Sequence, residues 1–375
     1  MPSFWKLLSL LSPSSYLSGG LGLGESIVTQ NPLSISNQTF NSNFGARPTI
    51  GVEPDNVPWY LQRIGSAAPL DVTVERMSEY TWSWRRKETW GENVFVYVID
   101  TGVRGTHEQF RQPGGVLPGM TLQRAGNDDG RLDQNGHGTM VASVITGRNN
   151  GVAQAATIVP IKIFGEGNSA KEFPWTTTDV AEGIDWAIQD FRQKKTDAER
   201  NRVARPPMAV INISWIIRRD PEASRAIREA IEEEMHVVIA AGNDNQDQCY
   251  VGKEKFPETE RVSPEGQITV SVTDPEDEWA YNYGNCVDLV APGMYFTMAS
   301  NEGDQDYEGD SGSSMATPLV SGVIAAILSE QGPTTPASMK ELLLTEYVTV
   351  GAVRNVPPKS PDRLLLAAKL WPKVL

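Results

Sequence analysis

The chain contains three histidines, and one of them stands in an unusual setting. His137 lies between two glycines in NGHGTMVASVITG (135–147), at the start of a helical pattern carried by Val141, Val144 and Ile145. Flanking glycines give an imidazole no packing partner, but they leave it uncrowded and let backbone and substrate approach. A general base needs both. Asp100 ends the apolar run VFVYVID (94–100), where a carboxylate is costly unless it is paired or hydrogen-bonded. Ser314, in GDSGSSMATP (309–318), falls in the first turn of an apolar helix. Helix amides and the positive dipole end favour developing negative charge there. Asn243 follows a glycine at the end of HVVIAAG (236–242), where its NH₂ could serve an oxyanion.

Each residue also has a plain structural reading. A serine at a helix start is commonly a cap, and a Gly-Asn pair commonly ends a strand. Together they are more specific. Nucleophilic catalysis needs a serine to attack, a histidine to take and return the proton, and an aspartate to hold the imidazole's tautomer. The other histidines, His107 in THEQF and His236 at a strand start, are read as structural.

Five runs must position these groups: VFVYVID (94–100), ATIVPIKIF (156–164), MAVINISW (208–215), HVVIAAG (236–242) and QITVSVT (267–273). They are β-branched and nearly continuous, as parallel strands covered on both faces should be. Helical patterns lie between them. TTDVAEGIDWAIQDF (177–191) gathers Val180, Ile184, Ala187, Ile188 and Phe191 on one side, and PEASRAIREAIEEEM (221–235) gathers Ile227, Ala230 and Ile231. This alternation predicts an α/β fold, doubly wound around a mostly parallel sheet with helices on both faces. Sites in such sheets form at the carboxyl ends of strands.

The 375 residues carry a formal net charge of −14, which argues against polyanionic nucleic acid or an anionic membrane surface as partners. No stretch approaches the eighteen or so uninterrupted apolar residues of a membrane span. Residues 1–50 are rich in Ser, Asn, Gly and Gln and read as a flexible leader. Its leucine-rich opening is a poor secretory signal, broken by Ser9 and Ser12 and stopped by Pro13. Cys249 and Cys286 are the two cysteines, too few for a disulfide framework and matching no zinc spacing.

VIDTG…H, NGHGT, AAGN and GSSMATP, in that order, resemble the subtilisin family of serine proteases, most closely its proteinase K-like branch. The resemblance runs from about residue 56 to 370 and implies one peptidase domain over 51–375. It assigns triad roles to Asp100, His137 and Ser314 and the oxyanion donor to Asn243. It further implies a serine endopeptidase acting as a monomer on peptide or protein substrates, with no cofactor required. Substrate would pair with Gly165, Gly167 and Ser169, and its pocket would involve Ser214, Trp215, Ile216, Ala241 and Gly242. Glu166 could favour basic side chains upstream of the cut. Cys249 and Cys286 match a disulfide of secreted members, and Asp288 matches a carboxylate that holds structural calcium.

Several positions depart from the family. Met140 and Ser143 stand where it has His and Gly, Ser313 replaces the usual Thr, and Leu319 replaces a His. SWII (214–217) replaces Ser-Leu-Gly-Gly, so a β-branched Ile216 is expected to crowd the pocket against large aromatic residues. The leader lacks the strand–helix texture of the folded pro-domain that secreted relatives carry, and would hold at most a truncated one. Secretion is the expectation, with an intracellular location left open. The altered pocket also leaves open a peptide-binding pseudoprotease, or a processing protease or transpeptidase acting on one precursor.

Overall fold

The structure, a computed structural model, describes residues 57–74, 84, 86–123, 125–165, 177–215, 221–247, 250–251, 254–255 and 264–370. The leader (1–50), Glu166, Gly167, Ser169, Ile216 and Cys249 lie outside the described residues.

In chain order the first half runs α1 (Trp59–Ile64), β1 (Val94–Asp100), β2 (Met120–Thr121), α2 (His137–Thr146), β3 (Thr157–Lys162), α3 (Thr177–Arg200) and β4 (Met208–Ile213). Then follow α4 (Pro221–Glu232), β5 (Met235–Ala240), β6 (Tyr250–Val251), β7 (Glu254–Lys255), β8 (Ile268–Thr273), β9 (Trp279–Ala280) and β10 (Leu289–Pro292). The chain continues with β11 (Phe296–Ala299), β12 (Tyr307–Asp310), α5 (Ser313–Gln331), α6 (Pro336–Glu346), β13 (Val348–Val350) and β14 (Arg363–Leu365).

The central sheet has the order β13-β14-β10-β8-β5-β4-β1-β3-β2, with β9 added beside β8. Its pairs are parallel except β13–β14 and β8–β9. All five apolar runs are strands of this sheet, as expected of a doubly wound α/β fold. Because β1 pairs with β3 on one side and β4 on the other, the winding direction changes at β1. Asp100 therefore ends the strand at the topological switch point, where α/β sheets open a crevice.

Side chains alternate across the sheet. Val94, Val96 and Val98 of β1 join the core under α1, α2, α5 and α6, whereas Tyr97 and Ile99 join the core under α3 and α4. Both faces are covered, so nearly every position along such a strand is apolar. The α3 stripe Val180, Ile184, Ala187, Ile188 and Phe191 is buried as its spacing predicts, but the helix runs on to Arg200. Surface ion pairs such as Lys194–Asp190 (2.6 Å) lie along its polar face.

α5 is the one helix, among the described residues, long and apolar enough by composition to cross a membrane, yet 89% of that window is buried. A helix apolar on all sides is a core helix when it packs against a sheet on one side and helices on the other. Its mouth is the site.

Candidate active site

Four strand or helix ends meet at the crevice. Asp100 is fully buried at the end of β1; its Oδ1 accepts the Thr101 N–H at 2.8 Å. His137 Nδ1–H donates to the carboxylate, 2.9 Å from each oxygen. That close approach requires glycine beside the imidazole: a methyl on Gly138 would lie 2.1 Å from the Gly102 carbonyl oxygen and 3.1 Å from Asp100 Cβ. Gly136, before the histidine, has φ +105°, a left-handed conformation that favours glycine. Both glycines are thus geometric requirements, for backbone approach on one side and for the turn on the other.

Asp133 was not legible as a site residue from sequence. It is buried and accepts from Thr101 Oγ1 (2.9 Å), the Asn135 and Gly136 N–H groups (3.0 and 2.8 Å), and Thr139 N–H and Oγ1 (2.9 and 2.6 Å). One carboxylate therefore ties the turn after Asp100 to the first turn of α2. An acid four residues before His137, at a helix start, was the available signal.

The protonation of His137 follows from its neighbours. Burial by itself pushes the imidazole pKa down, but the carboxylates of Asp100, Asp310 and Asp133 outweigh it and hold the value above that of an ordinary histidine. Asp310, at the end of β12, is held above the usual carboxylate range by burial, partly offset by the Ser311 N–H and by His137. The other histidines differ. His107 is buried, with Nε2 bonded to the Asp306 carbonyl at 2.9 Å and Nδ1 accepting the Gln109 N–H at 3.1 Å. His236 sits in β5, and burial lowers its pKa to about 4, so it is neutral.

Ser314 occupies the first turn of α5, nine-tenths buried. Ser214, past β4, donates its hydroxyl to the Ser314 carbonyl (2.9 Å) and accepts from Asn212 Nδ2 (3.0 Å), whose Oδ1 accepts Ser321 Oγ–H (2.8 Å). Ser214 thus braces the nucleophile's turn. Asn212 is fully buried in this chain of bonds, which leaves its Asn-Ile-Ser pattern no access to glycosylation.

Asn243 follows β5. Its Oδ1 accepts the Ser313 backbone N–H and the Ser313 hydroxyl, both at 2.9 Å. A backbone N–H can only donate, so this contact fixes which end of the amide faces Ser313 and turns Nδ2 toward Gly312. A methyl on Gly312 would lie 2.9 Å from Asn243 Nδ2 and 3.2 Å from Ser314 Oγ. A side chain there would crowd both groups, so glycine keeps the Ser314 hydroxyl and the Asn243 amide unobstructed. Gly242 has φ +97°, and its N–H donates to Ser313 Oγ at 3.0 Å. Ala241 is buried, its carbonyl accepting Asn282 Nδ2–H at 2.8 Å.

Trp215 lies two residues past the end of β4. Its indole Nε1–H donates to Asp100 Oδ2 at 3.1 Å, and its ring lies 4.6 Å from that of His137. Gly165, just past β3, passes so near Ala125 that a methyl on it would touch that backbone at 3.0 Å. Met140, Ser143, Ser313 and Leu319, the departures noted above, are all buried and packed.

The two remaining expectations lie apart from this cluster. Asp288 does not present an open ligand set for calcium. Its Oδ1 is 2.7 Å from Lys340 Nζ, and its Oδ2 accepts the Thr269 N–H at 2.8 Å. Lys340 Nζ also donates to the Gln267 carbonyl at 2.6 Å, so an ammonium stands between the oxygens a metal would bridge. No group of three or more His, Cys, Asp or Glu able to hold a metal is found among the described residues. Cys286 is disulfide-bonded; Cys249 is the chain's only other cysteine.

Known proteins resemble this chain in sequence and in fold. The model of the "Subtilase family" matches residues 91–363. The chain is 31% identical over 320 residues to the subtilisin-like serine protease Pen c 2 of Penicillium citrinum, covering 82% of this chain and 65% of that protein. It is 30% identical to the subtilisin-like serine protease pepC of Aspergillus niger, covering 83% of this chain and 56% of that protein. It therefore spans less than two thirds of the length of either. The crystal structure of a cold adapted subtilisin-like serine proteinase aligns with a TM-score of 0.66 and 30% identity, over 84% of this chain and 99% of that one. The family model spans most of the chain, which belongs to the subtilase family.

Proposed function

We propose that this chain is a serine endopeptidase that hydrolyses peptide bonds through an acyl-enzyme. Ser314 Oγ bonds to the substrate carbonyl carbon while its proton passes to His137 Nε2. Asp100 holds Nδ1–H and stabilises the imidazolium that forms. The carbonyl π electrons move onto oxygen, which Asn243 Nδ2–H stabilises. Collapse of the tetrahedral adduct expels the amine, which takes the proton from His137. Water then attacks the ester by the same route, regenerating Ser314 and releasing the acid.

The observation that carries this reading is the buried Asp100–His137 bond at 2.9 Å, with the Ser314 hydroxyl and the Asn243 amide flanking Gly312. Residues 51–375 act as one monomeric peptidase domain on peptide or protein substrates. The disulfide at Cys286 supports an oxidising compartment and hence secretion. Incubating the purified chain with a diverse peptide library, beside its Ser314→Ala variant, tests the reading. Cleavage by the parent and none by the variant is expected; equal cleavage by both would remove Ser314 from the chemistry.

A further inference from the structure

Trp215 stands two residues beyond β4, half-buried between two rings. His137 lies on one side at 4.6 Å between centroids with planes at 46°, and Phe164 lies on the other at 4.5 Å and 41°. Its Nε1–H is 3.1 Å from Asp100 Oδ2. Oδ1 already accepts the Thr101 N–H, and Oδ2 has otherwise only its half of the fork from His137 Nδ1. The torsion that turns a carboxylate about its own axis is soft. One fixed donor on Oδ1 does not lock it; a second, on the other oxygen and from a clamped ring, does.

We propose that Trp215 is a positioning residue for the Asp100–His137 pair: its indole N–H fixes the carboxylate plane, and its ring covers one face of the imidazole. The inference rests on the protease reading above. Phe164 from the end of β3 holds the indole in place, so the donor is pre-organised before substrate arrives. The N–H also draws charge on Oδ2 toward itself, which lessens the pull of Asp100 on the imidazolium proton. The indole face beside His137 remains available to the cation that forms during acyl transfer.

The Trp215→Phe variant separates these roles, because it removes the N–H and keeps a ring. The charged groups facing His137, namely Asp100, Asp310 and Asp133, are unchanged in it. In peptide hydrolysis kcat should fall about 10-fold, as for a lost hydrogen bond to a charged group, with KM little changed. The acidic limb of kcat should move up by about half a pH unit. Trp215→Leu, carrying the residue more usual in the family, should lose at least as much. The downfield proton resonance of His137 Nδ1–H should broaden or shift in both. Unchanged kcat and limb in Trp215→Phe would overturn the inference. So would a lower melting temperature with the limb and resonance unmoved, since that marks packing alone. Failure of the parent chain to react at Ser314 with a fluorophosphonate is a different result: it removes the protease reading itself.

Discussion

Asn243 Oδ1 is bonded twice to Ser313, once to its backbone N–H and once to its hydroxyl, each at 2.9 Å. The residue beside the nucleophile thereby orients the amide that faces it. Asn243→Ala should lower kcat by about 10²–10³-fold with little change in KM, the loss seen when one such donor is removed from subtilisin. Ser313→Ala keeps the backbone bond and loses the hydroxyl, so its loss should be smaller, about 5-fold. Steady-state kinetics on one peptide ester and one amide would check both.

The missing side chain at Gly312 predicts a sharper effect. Gly312→Ala places a methyl 2.9 Å from Asn243 Nδ2 and 3.2 Å from Ser314 Oγ, so the donor or the hydroxyl must shift. We expect kcat to fall at least about 100-fold, comparable to losing the donor, with a cooperative thermal transition retained. Activity within a few-fold of the parent would show that the chemistry does not need both groups where they stand.

These two features differ in how far the sequence disclosed them. Asp100, His137, Ser314 and Asn243 stand out because each sits among small residues at the end of an apolar run, a pattern that packing alone does not need. The parallel sheet was legible for a similar reason: burial on both faces makes its strands continuously apolar. Asp133 was hidden because its five bonds reach Thr101 and Thr139 as well as the next turn, and no one-dimensional pattern marks a carboxylate as shared. The resemblance placed Trp215 with the substrate pocket; that its N–H also finds a buried acceptor depends on how β4 lies beside β1, which no pattern in the sequence shows. Lys340 lies 52 residues beyond Asp288, so the ammonium at that carboxylate depends on how α6 docks.

Three carboxylates hold His137 above the ordinary histidine pKa, and the sign of the pH dependence follows. The base must be neutral to accept a proton, so the acidic limb of kcat/KM should lie above about 6.5. Asp310→Asn removes one negative neighbour and should move that limb down. For stability the direction is opposite. A group whose pKa is raised on folding contributes most below its unfolded value, about 6.5, and loses that contribution as pH rises through the folded value. Raising pH should therefore gain activity while giving up this part of the stability. A limb below 6.5 in the parent, or one shifted upward in Asp310→Asn, would contradict the assignment.

At Asp288 the positive charge comes from Lys340 (2.7 Å). Adding calcium or a chelator should therefore leave the melting temperature of the parent chain unchanged. Lys340→Met removes a partly buried charged hydrogen bond and should cost about 1–2 kcal/mol, a fall of a few degrees. Differential scanning calorimetry with calcium and with chelator distinguishes an ammonium-held corner from a metal-held one. A chelator-induced drop in the parent would contradict the former.

The proposed convergence of Asp100, His137 and Asn243 on Ser314 is tested most directly by mapping a fluorophosphonate adduct by mass spectrometry. One equivalent should attach to the parent chain, on the peptide containing Ser314, and the rate should collapse in His137→Ala. No adduct, or one on another residue with His137→Ala equally reactive, would contradict the account.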